Sequence, residues 1–392
     1  MSRNIAVGID IGTYQVKVVV ASNSDENERG LPVVLATGIA ESKGLRHGYI
    51  QNQGEVSRSV LQAVRQAEKT AGFKIKDAFL SIGGVGLTGI IAQGSTVVAR
   101  GDSEIAELDI SKVQEACESE IPASQMSNRK IINAVPIQYK IDGKVVLGKP
   151  LGMKGMRLEA KMLFVTCLEP HLQDLIQAVE EAGIEVVDVV ASPIAGAVVT
   201  LTKTQKIAGC VLANIGAETV SIVVYENNIP ISLEVFPLGS TDITNDIALG
   251  LKIPLEEAEQ IKLGAVTSTP VSKRRFDEIV NARLSDIFEL IEAHLKKIGR
   301  SGLLPAGVII TGGGSNVGAI DFLAKSALRL PAKIGAITLS DKKGVIRDST
   351  WSVAYGLCII GLLQEGSGTN LSGVFSRGAG TKIWGWFKQF LP

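Results

Sequence analysis

Two strand–turn–strand units, one at the start of the chain and one past its middle, constrain the fold more than any other feature. The first runs over Asn4–Asp10, turns through Ile11-Gly12-Thr13-Tyr14 and returns over Gln15–Ser22. The second spans Gly209–Tyr225 around the turn Asn214-Ile215-Gly216-Ala217-Glu218-Thr219. Each is built from short apolar runs bounded by turn residues, the pattern of buried strands. A hairpin repeated at this distance predicts two duplicated domains facing each other. A chain of 392 residues has ample material for both cores.

The intervening segments follow the same α/β logic. Pro32–Ala40 and Lys76–Ile82 read as strands, and Val56, Val60, Leu61, Val64, Ala67 and Ala71 give 55–71 a helical period that stops at Gly72. Between Leu87 and Thr166 the texture changes to short β segments with one helix near 110–120, which predicts an inserted α/β module. Helices are expected at 172–182 and from Ser192, with a strand at 185–190 between them. Residues 241–300 read as mostly helical. Val308–Thr311 reads as a buried strand running into Gly312-Gly313-Gly314 with a helix over 317–328, and 351–364 as a last apolar helix.

The first hairpin has the make-up of a phosphate cradle. Gly12 lets backbone amides approach an anion, Asp10 at the strand end suits a hydrated Mg²⁺, and Lys17 adds a point charge. The triple glycine is a second nucleotide-loop candidate, without the Lys-Ser/Thr of a P-loop. Gly84-Val85-Gly86-Leu87-Thr88-Gly89 matches a dinucleotide fingerprint, but the residues after it read as strand, not the helix that fingerprint requires. His47, His171 and His294 are isolated from one another and mark no metal or acid–base site.

Forty Lys and Arg balance forty Asp and Glu, so bulk charge calls for no nucleic-acid partner. Cys117, Cys167, Cys210 and Cys358 show no zinc spacing and read as buried free thiols of a reducing compartment. No signal peptide is read at the start, and the longest apolar run, 353–363, is too short to span a bilayer. The tail is distinctive. On a helix, Ile383, Trp384, Trp386, Phe387, Phe390 and Leu391 fall within an arc of roughly 160°, opposite Lys382 and Lys388. A helix over 381–392, about 18 Å long, suits the surface of an anionic membrane, tethered by the Gly/Ser-rich stretch 366–380.

Asp10–Lys17, Asn214–Thr219, Gly312–Gly314 and the 351–364 helix follow the order of the actin-like ATPase superfamily. Segments 44–50, 135–143, Pro150-Leu151-Gly152-Met153-Lys154-Gly155-Met156-Arg157-Leu158-Glu159 and 238–262 narrow the likeness. The chain resembles the bacterial cell-division FtsA family over essentially its whole length. This resemblance implies an actin-like α/β fold of duplicated ribonuclease-H-like domains with an inserted subdomain and a C-terminal amphipathic helix. Residues 1–82 and 164–194 would form subdomain IA, 83–163 the inserted IC, 195–230 and 301–365 IIA, and 231–300 IIB.

The resemblance further implies ATP with Mg²⁺ between IA and IIA. Gly12, Thr13 and Tyr14 would lie near phosphates, Gly312, Gly313, Gly314 and Ser315 near adenosine, and Glu259 and Lys262 near ribose and base. Gly216 and Gly239 join that set. The superfamily's second hairpin usually reads Asp-x-Gly-Gly-Gly-Thr. Here Asn214 stands for the Asp and Ala217-Glu218 for two glycines, so slow hydrolysis is expected, and Glu218 would repel phosphates unless it points away. By resemblance the chain would polymerise, anchor the tubulin-like protein FtsZ through its C-terminal peptide, and recruit later division proteins. The site would be the cytoplasmic face of the cell membrane where division occurs. Helix 276–298 is the expected peptide surface, with Arg283 meeting an acidic residue. Two alternatives share the fold: a pilus-assembly adaptor, and a small-molecule kinase for which no carboxylate base is evident.

Overall fold

A computed structural model describes residues 5–23, 32–99, 101–265, 272–337, 339–341, 344–346 and 348–366. The expected membrane helix and residues 367–380 of the expected tether lie outside these. Strand Ile5–Ile11 lies inside the first sheet, with four consecutive buried residues, as a strand covered on both faces requires. It pairs antiparallel with Gln15–Ser22, which pairs antiparallel with Val33–Glu41. On its other edge come Asp77–Ile82 and then Glu185–Ala191, both parallel. Two short strands from late in the chain, Leu339–Asp341 and Gly344–Ile346, extend this sheet to seven strands.

The second sheet repeats that plan. Ile229–Phe236, Val220–Glu226 and Cys210–Ile215 form an antiparallel meander, followed by Val308–Thr311 and Ala332–Ile334 in parallel. The spatial order of the five strands matches that of the first five-strand set, so the repeated hairpin marks a repeated domain topology.

Helix Gln53–Ala71 covers one face of the first sheet. Asn52 caps its first turn by accepting from the Glu55 amide, and Gly72 ends it in the left-handed region at φ 80°. The helix lies so close that a Cβ on Gly38 would stand 1.9 Å from the Ala63 carbonyl oxygen. The opposite faces exchange helices. Ser352–Gly366, read with the second half on sequence grounds, packs Ala354, Tyr355, Cys358 and Leu362 against Ala6, Val19 and Ala21 of the first sheet. Ser192–Thr200 places Ala197 against Leu212, Val223 and Ile309 of the second. The two helices cross where a Cβ on Gly356 would be 1.9 Å from the Ala195 carbonyl oxygen.

The inserted module is a four-stranded antiparallel sheet, in the order Thr88–Val97, Arg157–Leu168, Arg129–Ile141 and Lys144–Val146. Helix Glu107–Ser119 covers one face, with Ile110, Val113 and Cys117 packed on Leu158, Met162 and Phe164. Thr88–Val97 is strand, so no dinucleotide helix follows the Gly84–Gly89 glycines. All four cysteines are buried and free.

One expectation is corrected. The apolar stripe of helix Lys273–Lys297 is not open to a peptide: Val280, Leu284, Ile287, Phe288 and Ile291 are buried in the second domain's core, and Phe276 and Ile279 pack against it. An amphipathic helix beside a sheet satisfies its own domain first, because hydrophobic burial there is intramolecular.

Candidate nucleotide site

The two hairpins face each other across a cleft of about 650 Å³ between the sheets. Their turns close alike: Gly12 N–H donates to the Gln15 carbonyl at 3.1 Å, and Gly216 N–H to the Thr219 carbonyl at 2.9 Å. Register makes the correspondence residue by residue. Asp10 pairs with Lys17 two positions before Gly12, and Asn214 pairs with Ser221 two positions before Gly216. The second hairpin thus has an amide and a hydroxyl where the first has a carboxylate and an ammonium.

Asp10 accepts a hydrogen bond from the Ser81 hydroxyl at 2.7 Å. Burial pushes its carboxyl above the usual carboxylate range, against the opposing pull of the Ser81 bond and the Lys17 charge. Lys17 is buried with its ammonium 5.7 Å from the centre of the Trp351 ring. Desolvation lowers its pKa, while Asp10 and Asp348 act to raise it. Two opposite charges removed from water in one cleft are a costly arrangement for structure alone, and such arrangements gather at functional sites.

At the other end of the cleft, Glu259 and Lys262 share one helical turn of Leu255–Lys262. Their charged groups meet at 2.7 Å, and the Lys262 ammonium also donates to the Thr244 hydroxyl at 2.8 Å and the Ser240 carbonyl at 3.1 Å. Thr244 in turn donates to Glu259 at 2.5 Å. This braces helix Leu255–Lys262 against helix Ser240–Leu251 and leaves Leu255 and Leu263 at the cleft wall as apolar surface.

Of the residues expected from sequence, Asp10, Gly12, Thr13, Tyr14, Lys17, Asn214, Gly216, Glu259, Lys262, Gly312 and Gly313 line the cleft together. Gly239, Gly314 and Ser315 do not; they sit behind its wall. A Cβ on Gly239 would be 2.3 Å from the Ala217 carbonyl oxygen, and one on Gly314 would be 2.5 Å from Ile215 Cγ2. Both glycines therefore serve the packing of the second hairpin. Ser315 is buried and donates its hydroxyl to the Gly312 carbonyl at 2.7 Å. The triple glycine opens a 3₁₀ turn, Gly313–Asn316, and the α-helix follows only at Ile320–Leu328. Arg283 does not line the cleft: it binds Asp246 bidentately at 2.6 and 3.0 Å and lies 3.3 Å from Asp286. Sequence reasoning missed Ser81, Ser192, Thr244 and Thr350. Lone hydroxyls in strands and helices carry no pattern, and only the sheet order brings Ser81 beside Asp10.

The donor set suits a Mg²⁺ carried in by phosphates. Asp10 is one carboxylate with a lone-pair side still open after Ser81, and Mg²⁺ ordinarily needs only one or two carboxylates beside phosphate and water. No group of three or more His, Cys, Asp or Glu fit for a metal ion exists among the described residues, so a cage made by protein alone is not built here.

Likenesses to known proteins agree with this geometry. Residues 211–356 match the family described as cell division protein FtsA, and residues 89–166 match the SHS2 domain inserted in that protein. The cell division protein FtsA of Pseudomonas aeruginosa is 30% identical over 395 residues, 95% of this chain and 92% of that protein. That of Neisseria meningitidis serogroup B is also 30% identical, over 93% and 92%. Among solved structures, a PilM–PilN type IV pilus biogenesis complex superposes with a TM-score of 0.65 at 16% identity, over 91% of this chain and 98% of that one. MreB5 of Spiroplasma citri bound to ADP gives 0.51 at 13%, over 92% and 96%. These structures share the actin-like fold, and the inserted sheet, the duplicated domains and the near full-length likenesses place the chain in the bacterial cell-division FtsA family.

Proposed function

We propose that this chain is a membrane-tethered, actin-like division protein that binds ATP with Mg²⁺, polymerises, and links FtsZ to the cytoplasmic face of the membrane at the division site. The observation that carries the nucleotide part is the opposition of two equivalent glycine-backed hairpins across one cleft, with half-buried Asp10 and buried Lys17 on one side. Gly12 and Gly216 present backbone to phosphates, Leu255 and Leu263 offer apolar surface to a base, and Asp10 holds the cation that phosphates bring. With Asn214 in place of a second acid, less charge is available to polarise an attacking water, which supports slow turnover.

The membrane part rests on sequence: an aromatic face, two flanking lysines and a glycine-rich tether at 366–380. Among the described residues no helix is long and apolar enough to cross a membrane. Sedimentation with anionic liposomes, using the full chain and a variant lacking 381–392, tests the tether. Pelleting of both would remove the helix from the account. Isothermal titration with ATP and Mg²⁺ tests the cleft. The pilus-adaptor alternative has the fold in common, but the near full-length 30% likenesses are to division proteins.

A further inference from the structure

Glu218 replaces a glycine of the superfamily hairpin, and the structure shows what it does with its charge. Its carboxylate leaves the cleft and accepts the backbone N–H of His47 in the first domain at 2.5 Å. The His47 ring Nδ1 lies 3.2 Å from the Glu218 carbonyl oxygen. Two hydrogen bonds therefore tie the second hairpin to a loop 171 residues away in sequence.

Both ends of this tie touch the cleft. Gly216, Ala217 and Thr219 beside Glu218 line it, and so do Gly48 next to His47 and Gly84 behind it. The loop is stiff at this point. His47 has φ 49° and Gly48 φ 84°, both in the left-handed region, and a Cβ on Gly48 would stand 2.4 Å from the Gly84 Cα. The hairpin is equally held on its far side, where Ser240 N–H donates to the Gly216 carbonyl at 2.9 Å and Thr241 N–H to that of Ala217 at 2.8 Å. A stiff loop on one domain thus meets a braced turn on the other, through one half-buried carboxylate.

We propose that the Glu218–His47 bridge is a latch across the mouth of the cleft that sets how fast nucleotide leaves. The inference rests on the nucleotide reading of the cleft. With the bridge made, the domains are held together and the Glu218 charge is kept away from phosphates. With it broken, the second hairpin is free to part from the first domain, and the carboxylate is free to turn towards phosphates it repels. Both effects speed release.

The test is stopped-flow release of a fluorescent ATP analogue from the full chain. Glu218→Ala removes the acceptor and should release the analogue about ten-fold faster, the scale of a hydrogen bond to a charged group at a half-exposed site. Glu218→Gln keeps an acceptor for the His47 amide and should stay within about three-fold of the parent, a rescue that a purely electrostatic role for the charge does not produce. An unchanged rate in Glu218→Ala overturns the latch, as does equal slowing in both variants, which would mean the charge acts on phosphate directly. If the parent chain binds no analogue, the nucleotide reading fails and not the latch alone. Amide hydrogen exchange in the parent gives a readout independent of any variant. Nucleotide should slow exchange across 45–50, and no change there, with nucleotide bound, overturns the proposal.

Discussion

Ser81 donates its hydroxyl to Asp10 at 2.7 Å, so the carboxylate at the base of the first hairpin is oriented by the neighbouring parallel strand. Burial holds that carboxyl above its ordinary value of 3.8. Two consequences carry opposite signs. In the metal-free chain, Asp10's contribution to stability is fully present below 3.8 and is lost as pH rises through its raised value. Mg²⁺ needs the ionised form, so Mg²⁺-dependent ATP binding should strengthen over the same rise. Asp10→Asn should flatten that binding profile and weaken Mg²⁺-dependent affinity at least ten-fold, at pH 7. Titrations of the two proteins upward from pH 3.8 check this, and parallel profiles would refute it.

Asn214 occupies the position that corresponds to Asp10, and turnover should therefore be slow, below about one per second, the low end of ordinary enzymes. Asn214→Asp should raise it by restoring a charge that can polarise water or hold the cation. Phosphate release measured under saturating Mg-ATP decides the matter. A fast parent enzyme would remove Asn214 as the cause of anything.

His294 shares a 2.7 Å hydrogen bond with Ser232 beneath the second sheet. Desolvation, helped by the nearby Lys297 charge, lowers its pKa from 6.5 to about 4. The stability this neutral ring contributes is present above 6.5 and is lost as pH falls through about 4. The loss should be on the order of 2–3 kcal/mol. Urea midpoints at pH 7 and pH 4 should differ less in His294→Gln, which keeps a hydrogen-bonding side chain but does not titrate there.

Arg283 and Asp246 make a bidentate pair joining helices Lys273–Lys297 and Ser240–Leu251. Arg283→Ala should cost about 1 kcal/mol in chemical denaturation, since the pair is only partly buried. A variant with unaltered stability and weaker FtsZ-peptide binding would instead assign Arg283 to the partner.

Membrane attachment should be weak for one subunit and strong for a filament. A Gly/Ser-rich tether over 366–380 would let neighbouring subunits of a filament place their tails in one bilayer, which makes the later contacts effectively intramolecular. Trp386→Glu, on the apolar arc, should release the protein from liposomes, while Gln389→Lys, on the polar side, should not. Equal liposome affinity below and above the assembly concentration would show that the tail acts without avidity.

Much of the cleft was legible in the sequence because its parts are local. A turn between two strands is set by adjacent residues, so Asp10 and Gly12 could be named from the first hairpin alone, Asn214 and Gly216 followed from the family resemblance of the second, and all four lie together in the cleft. Hydrophobic period likewise marked most helices and strands, and the change of texture near 87–166 marked the inserted sheet. Tertiary structure alone decided the rest, because those features depend on which surfaces meet. The stripe on helix Lys273–Lys297 is apolar in any context, and only packing shows that the protein's own core occupies it. Gly239 and Gly314 look like ligand glycines in the sequence, yet each makes room for the second hairpin's backbone or side chain. Ser81 carries no local signal at all, and the sequence marks Glu218 only as a misplaced charge, without its partner. Their roles arise when a parallel strand arrives beside Asp10 and when His47, far away along the chain, turns its amide towards the Glu218 carboxylate.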